Sequence, residues 1–107
     1  MLNGRLWNNA AGRDLASRLP VRLTFRDLSN QEKIGHLQKP LSMEGLPAGD
    51  DPAPGDIGWY EPWGNVVFYY GDVGYWEGIA RIGTFDSGID IVAAQNHDFS
   101  ATIEPAD

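Results

Sequence analysis

Residues 56–83 read DIGWYEPWGNVVFYYGDVGYWEGIARIG, and this stretch decides the fold. Asp56 to Tyr60 makes one strand, Glu61-Pro62-Trp63-Gly64 turns the chain, and Asn65 to Tyr70 returns it. Gly71-Asp72-Val73-Gly74 supplies a second turn and Trp76 to Gly83 a further strand. The unit holds seven of the chain's eight Trp and Tyr residues: Trp59, Tyr60, Trp63, Tyr69, Tyr70, Tyr75 and Trp76. Successive side chains of a strand face opposite sides, so Trp59 and Tyr60 cannot both be core, and neither can Tyr69 and Tyr70. If Val66, Phe68 and Tyr70 share one face, Val67 and Tyr69 share the other. Some of these rings therefore lie on an outer face or at a rim, where Trp and Tyr offer apolar area with a polar tip. Two readings of the cluster stand side by side. One is core plus cross-strand aromatic pairs, which stabilise sheets. The other is a shallow aromatic groove for a peptide or a small apolar ligand.

Working outward, Val21, Leu23 and Phe25 alternate with Arg22, Thr24 and Arg26, which predicts a half-buried strand with its basic face in water. Asp27-Leu28-Ser29-Asn30 turns the chain into a second strand over Glu32 to Leu37. Ahead of these, Asn8-Asn9 is a capping signal for a helix that carries Ala11, Leu15, Ala16 and Leu19 on its apolar side. Pro20, with no N–H, ends that helix. Pro40 to Gly55 is a long loop rich in Pro, Gly and Asp, of a length often associated with a functional flap. Beyond the aromatic unit, Ser87 reads as the cap of about two helical turns over Ile89 to Gln95, and Phe99, Ala101 and Ile103 alternate as a last strand. Many short strands with one or two short helices predict a mainly-β fold, a small barrel closed by helices.

The chain of 107 residues has room for one domain, and its apolar content of 42% is that of a globular protein. The absence of cysteine excludes disulfides, thiolate metal sites and a cysteine nucleophile. Nothing at the start resembles a signal peptide and no apolar run is long enough to span a membrane, so the expectation is cytoplasmic, with no membrane partner. The net charge of −7 is unevenly spread: residues 1–40 hold seven basic and three acidic side chains, and residues 41–107 hold twelve acids and one base, Arg81. An acidic domain repels phosphate backbones, which argues against nucleic acid as a partner.

Arg81 lies mid-strand, sharing a face with Ile79, and such a guanidinium must pair with a carboxylate, stack on a ring or meet a ligand. Asp56, Glu61, Asp72 and Glu77 are candidate partners. His36 reads as a structural histidine and His97 as a solvated turn residue. Two histidines far apart give no zinc pattern, and Asp86-Ser87-Gly88-Ile89-Asp90 is not a calcium loop. No nucleophile elbow, phosphate-binding loop or dinucleotide fingerprint occurs, so hydrolase, kinase and dehydrogenase chemistry have no support. No metal and no cofactor is expected.

Leu6-Trp7-Asn8-Asn9-Ala10-Ala11-Gly12-Arg13-Asp14-Leu15, then Leu19-Pro20, then Asp27-Leu28 with Glu32-Lys33, are similar to segments of the small bacterial cyclophilin-like domain family. Pro54-Gly55-Asp56-Ile57, Pro62-Trp63-Gly64-Asn65, Phe68-Tyr69-Tyr70 and Ile82-Gly83 follow in the same order. The resemblance covers nearly the whole chain and implies one domain over residues 1–107, a compact β-barrel with short helices closing its ends. It also implies another strand ahead of the Leu6 segment, pairing with Arg5 to Trp7. Here the chain begins almost at that segment, so an open sheet edge is expected, and with it weak homo-oligomerisation. Prolyl isomerisation has been suggested for the family by analogy with true cyclophilins, whose Phe-His-Arg and Gln-Gly-Gly-Asp segments this sequence lacks. No residue is therefore assigned as catalytic.

These readings order three functions. First is a binding module that uses Tyr60, Trp63, Tyr70, Trp76 and Arg81 for a peptide or small apolar ligand. Second is a partner domain without a ligand, which requires Trp59, Trp63 and Trp76 deeply buried and Arg81 salt-bridged. Third is a weak peptidyl-prolyl isomerase.

Overall fold

The computed structural model describes residues 2–106. In chain order it runs β1 (Gly4–Leu6), α1 (Ala10–Ser17), β2 (Val21–Leu28), β3 (Glu32–His36), β4 (Gly49–Asp50), β5 (Asp56–Tyr60), β6 (Asn65–Tyr69), β7 (Trp76–Glu77), β8 (Ile79–Phe85), α2 (Ile89–Ala93) and β9 (Phe99–Ile103). The fold is mainly β with two short helices. Seven strands, in the order β1-β8-β5-β6-β3-β2-β9, form one antiparallel sheet that curls into a half-barrel, and β4 pairs with β7 apart from it.

The first helix begins where the capping signal puts it. Asn9 Oδ1 accepts the Gly12 amide at 2.8 Å while its Nδ2 donates to the Arg81 carbonyl at 3.0 Å, so one side chain caps α1 and ties it to β8. Ala11 and Leu15 are fully buried beneath it. Past the last turn, Arg18 pairs with Asp14 at 2.9 Å and donates to the Lys39 and Pro40 carbonyls. Asp14 in turn accepts the Ser42 amide at 2.9 Å, so the helix also anchors the start of the long loop.

β2 shows the expected alternation, with Leu23 and Phe25 buried and Arg22, Thr24 and Arg26 in water. It runs to Leu28 before turning through Ser29 and Asn30, both in the left-handed region at φ 57° and 54°. Asp27 supports the turn by accepting the Asn30 amide at 3.0 Å. The inner side of the curl holds the main core. There Phe25 stacks on Phe68 and Phe99 at centroid distances of 4.4 and 5.5 Å. Trp59, Val66 and Ile82 fill the remainder, and the Trp59 indole N–H reaches the Glu61 carboxylate at 2.5 Å.

Two expectations differ from the structure. The strand expected over Trp76 to Gly83 is broken at Gly78, which stands at φ 93° with the Pro62 ring 2.7 Å from where a Cβ would be. Only glycine takes that conformation in that space. Trp76–Glu77 consequently leaves the main sheet and pairs with Gly49–Asp50, giving the long loop a strand of its own. Ser87 does not cap α2. Gly88 occupies that position at φ 90° with no side-chain hydrogen bond, and the helix stops at Ala93. The mainly-β expectation holds, with the sheet making a half-barrel and two short helices: β1 pairs only with β8 and β9 only with β2, which leaves two edges among the described residues. No helix there is long and apolar enough to cross a membrane.

Gly58 has a separate constraint, because a Cβ there would lie 2.5 Å from the ring of Tyr69, itself 1% exposed and unable to swing away. Gly58→Ala should therefore cost about 1–3 kcal/mol through overpacking. A urea unfolding curve would show a lower midpoint at unchanged slope; an unchanged midpoint would mean that Tyr69 yields freely.

Candidate functional site

Strand alternation gives the sheet two apolar faces. On β5, β6 and β8 the inward side chains Trp59, Val66, Phe68, Ala80 and Ile82 enter the core or the space around it. The outward set, Ile34 of β3 with Val67, Tyr69 and Ile79, forms a second buried cluster flanked by Leu28, Tyr60 and Val73. The chain from Gly71 to Gly78 passes over part of this outer cluster. Between it and the β2–β3 turn lies a groove of about 280 Å³. Its walls include Tyr60, Trp63, Trp76, Val73 and Leu28, and Tyr69 and Ile79 form its buried floor.

The two indoles of this surface are exposed, Trp63 at 53% and Trp76 at 59%. Each is nonetheless held in place. Trp63 meets Tyr60 edge-on, with centroids 5.4 Å apart and planes at 86°. The Trp76 indole N–H donates to the Val73 carbonyl at 3.2 Å. The groove also holds Glu32, which takes part in no salt bridge among the described residues.

Of the five residues expected at a ligand site, the structure brings three together: Tyr60, Trp63 and Trp76. Tyr70 is elsewhere. β6 ends at Tyr69, the Tyr70 hydroxyl donates to Asp27, and Lys33 lies 5.4 Å from the Tyr70 ring centroid. Lys33 is 3% exposed and is held by Asp27 at 3.1 Å and the Gln95 carbonyl at 2.6 Å, so Tyr70 belongs to a polar tie between β2, β3 and the end of α2. Arg81 is also engaged, by Asp50 at 3.1 Å and Asp56 at 3.9 Å, with its guanidinium 5.3 Å from the Trp7 ring centroid. Asp56 is one of the partners the sequence offers; Asp50, 31 residues away in the long loop, is not.

Tyr69 and Glu32 are among the members of the groove that the sequence does not single out as site residues. Tyr69 was visible as an outward ring once Phe68 is placed inside, whereas Glu32 reads as an ordinary strand charge. Its signal is the alternation Glu32, Ile34, His36, which places it on the same outer face as a buried isoleucine. A neighbouring hollow of about 350 Å³, lined by Thr24, Arg26, Ile34, His36, Asn65 and Asp98, shares the Trp63 wall. There His36 Nδ1 lies 3.2 Å from the Trp63 carbonyl, which seats the turn that carries the indole.

The polar side chains of the groove are Ser29, Gln31, Glu32 and the tyrosine hydroxyls, with no nucleophile paired to a base. Among the described residues no three His, Asp or Glu side chains gather as metal ligands would.

Two carboxyls near this surface are shifted in opposite directions. Burial works against ionisation of Asp27, but the hydrogen bonds from Tyr70, Lys33 and the Asn30 amide outweigh it and hold the carboxyl below its usual range. Tyr70 is pushed up to about 12, by burial first and then by the bond to Asp27. Glu32 is raised, by burial and then by the charge of Asp27. Asp27 therefore contributes stability that is present above the ordinary carboxylate range and lost as pH falls through its depressed value; Glu32 is easier to accommodate protonated, so its ionisation lowers stability as pH rises. Asp27→Asn should lose about 1–2 kcal/mol at neutral pH, the low end because a third of the side chain is in solvent, with the deficit shrinking in acid. Glu32→Gln should show the reverse sign, a gain at neutral pH that vanishes in acid. Chemical denaturation at a series of pH values checks both, and equal pH profiles for the two variants would refute the assignment.

A model of the cyclophilin-like family matches residues 1–104. No curated protein and no solved structure matches the chain. The family match runs from the β1 segment through β9, taking in every strand and helix of the half-barrel, and the chain belongs to the cyclophilin-like family.

Proposed function

We propose that the protein is a binding domain whose groove, walled by Tyr60, Trp63 and Trp76 over a floor of Tyr69 and Ile79, holds a peptide or a small, largely apolar ligand. The observation that carries this is the pair of exposed indoles at the rim of a concave apolar surface. Leaving two large aromatic surfaces in water forgoes their burial, and each is fixed by a neighbour instead of being free to collapse inward. A partner domain with no ligand requires all three of Trp59, Trp63 and Trp76 inside. Trp59 meets that requirement and Arg81 is salt-bridged, but the two rim indoles are not buried. Prolyl isomerisation draws no support from Arg81, whose guanidinium is occupied by Asp50 and Asp56.

Titration of isotope-labelled protein with proline-containing peptides tests the proposal. Shift changes should centre on Tyr60, Trp63, Tyr69 and Trp76 and spare Tyr70 and Arg81. Trp63→Ala and Trp76→Ala should each weaken binding by about 1–3 kcal/mol, as truncation of a rim aromatic does at other binding surfaces, with little change in folding stability. Shifts scattered away from the groove would overturn the reading.

We also propose weak self-association through the open edges. β1 and β9 each have one hydrogen-bonded neighbour, and β9 spans five residues, long enough to accept a strand from a second copy. Light scattering over a wide concentration range should show mass rising above 11.8 kDa at high concentration. A constant monomeric mass would dismiss it.

A further inference from the structure

The groove is mostly apolar and carries one charge, Glu32, which has no salt-bridge partner among the described residues. Glu32 lies opposite Tyr69 in the β3–β6 register and faces outward into the groove. Lys33, the adjacent residue, points to the other face, where Asp27 and the Gln95 carbonyl hold it. Arg81, the sole base after Lys39, is taken by Asp50 and Asp56. No cation of the described residues therefore neutralises Glu32, and burial already disfavours its ionised form. Filling the groove with an uncharged ligand would strip more water from the carboxylate and return nothing for it. An anionic ligand would add direct repulsion.

A cation reverses both effects. The faces of Tyr and Trp rings are electronegative and attract organic cations, most strongly where water is displaced. A primary ammonium or a guanidinium needs acceptors on several sides when it is desolvated, whereas the Trp63, Trp76 and Val73 walls supply only carbon and ring faces, with Ser29, Gln31 and Glu32 all on the β2–β3 side. An alkylated ammonium asks for no such acceptors. Residues 41–107, with twelve acids and one base, add a long-range field of the attracting sign.

On the footing of the binding groove described above, we propose that its ligand is a small organic cation, an alkylated ammonium seated among Tyr60, Trp63 and Trp76 with Glu32 as its counter-charge. The two indoles and the phenol give shape and attraction, and the carboxylate gives the sign. This accounts together for the exposed rings, the unpaired acid and the absence of any base facing the groove.

Choline and 3,3-dimethyl-1-butanol have the same shape and differ in the charge on the head group, which makes them the probes. Each is titrated into the whole, isotope-labelled chain at neutral pH, following the Trp63 and Trp76 indole N–H signals. Choline should bind at least about tenfold more tightly than the alcohol, and Glu32→Gln should remove most of that difference. Trp76→Ala should weaken both. Equal binding of the two probes to the unmodified protein would overturn the cation preference while leaving the groove reading intact. Binding of neither choline nor the alcohol, with proline peptides still shifting the groove signals, would likewise overturn the cation proposal alone. No shift with any probe would overturn both.

Discussion

An antiparallel sheet usually shows one face to a core and the other to water. β5, β6 and β8 do not, because both faces of these central strands are apolar: Trp59, Val66, Phe68 and Ile82 inward, Val67, Tyr69 and Ile79 outward. Each face must therefore be covered. Curling of the sheet, α1 and the long loop close the inner side, where Leu15, Trp59 and Ile82 reach zero exposure. The outer side has only what the neighbouring turns can reach, and the remainder of the structure follows from how that cover is built.

The cover depends on the chain leaving the sheet at Gly78. Were β8 to begin at Trp76, residues 76 and 77 would extend the main sheet, and the turn ahead of them would be carried away from the outer cluster. The left-handed glycine instead directs Trp76–Glu77 against Gly49–Asp50. That pairing sets Asp50 where Arg81 can use it, so the long loop, β8 and the outer face are joined by one ion pair in partial shelter. Burial of Asp50 opposes its ionisation, but the Asp51 amide and the Arg81 guanidinium and amide overcome this and hold its carboxyl low. Cover and groove are thus parts of one arrangement: Val73 and Trp76 shield Ile79 and Tyr69 from one side, the β2–β3 turn approaches from the other, and the groove is the gap between them.

Much of this was legible in the residues. Period-2 alternation separates Trp59 from Tyr60 and places the basic face of β2 in water, and Asn9 marks the helix start, because each depends on local geometry alone. Tyr70 was legible in part: alternation sets it on the Phe68 face, away from Tyr69 and the groove, whereas the Asp27 and Lys33 contacts that engage it there are tertiary. Arg81 was recognisable as a residue in need of a partner, but the partner comes from a loop strand that exists only because Gly78 interrupts β8. Glu32 carried only the alternation that sets it on the face of Ile34. A carboxylate on an alternating strand signals solvent unless the opposite strand is known to bring Tyr69 beside it, and that is a tertiary fact.

Glu32 and Lys33 show how unequal two adjacent charges become when a strand is covered on both sides. Lys33 faces in, and three elements converge on it: Asp27 from β2, the Gln95 carbonyl beyond α2 and the Tyr70 ring after β6. A buried ammonium so enclosed has nothing left to offer a ligand. Glu32 faces out, toward aromatic rings with no donor among them that it bonds, and after burial the like charge of Asp27 works against its ionisation. The inward charge is satisfied within the chain, whereas the outward one has no salt-bridge partner among the described residues and would lose hydration if the groove were filled. Since desolvating an unpaired carboxylate is costly, filling this groove would favour either protonation of Glu32 or an occupant that carries positive charge.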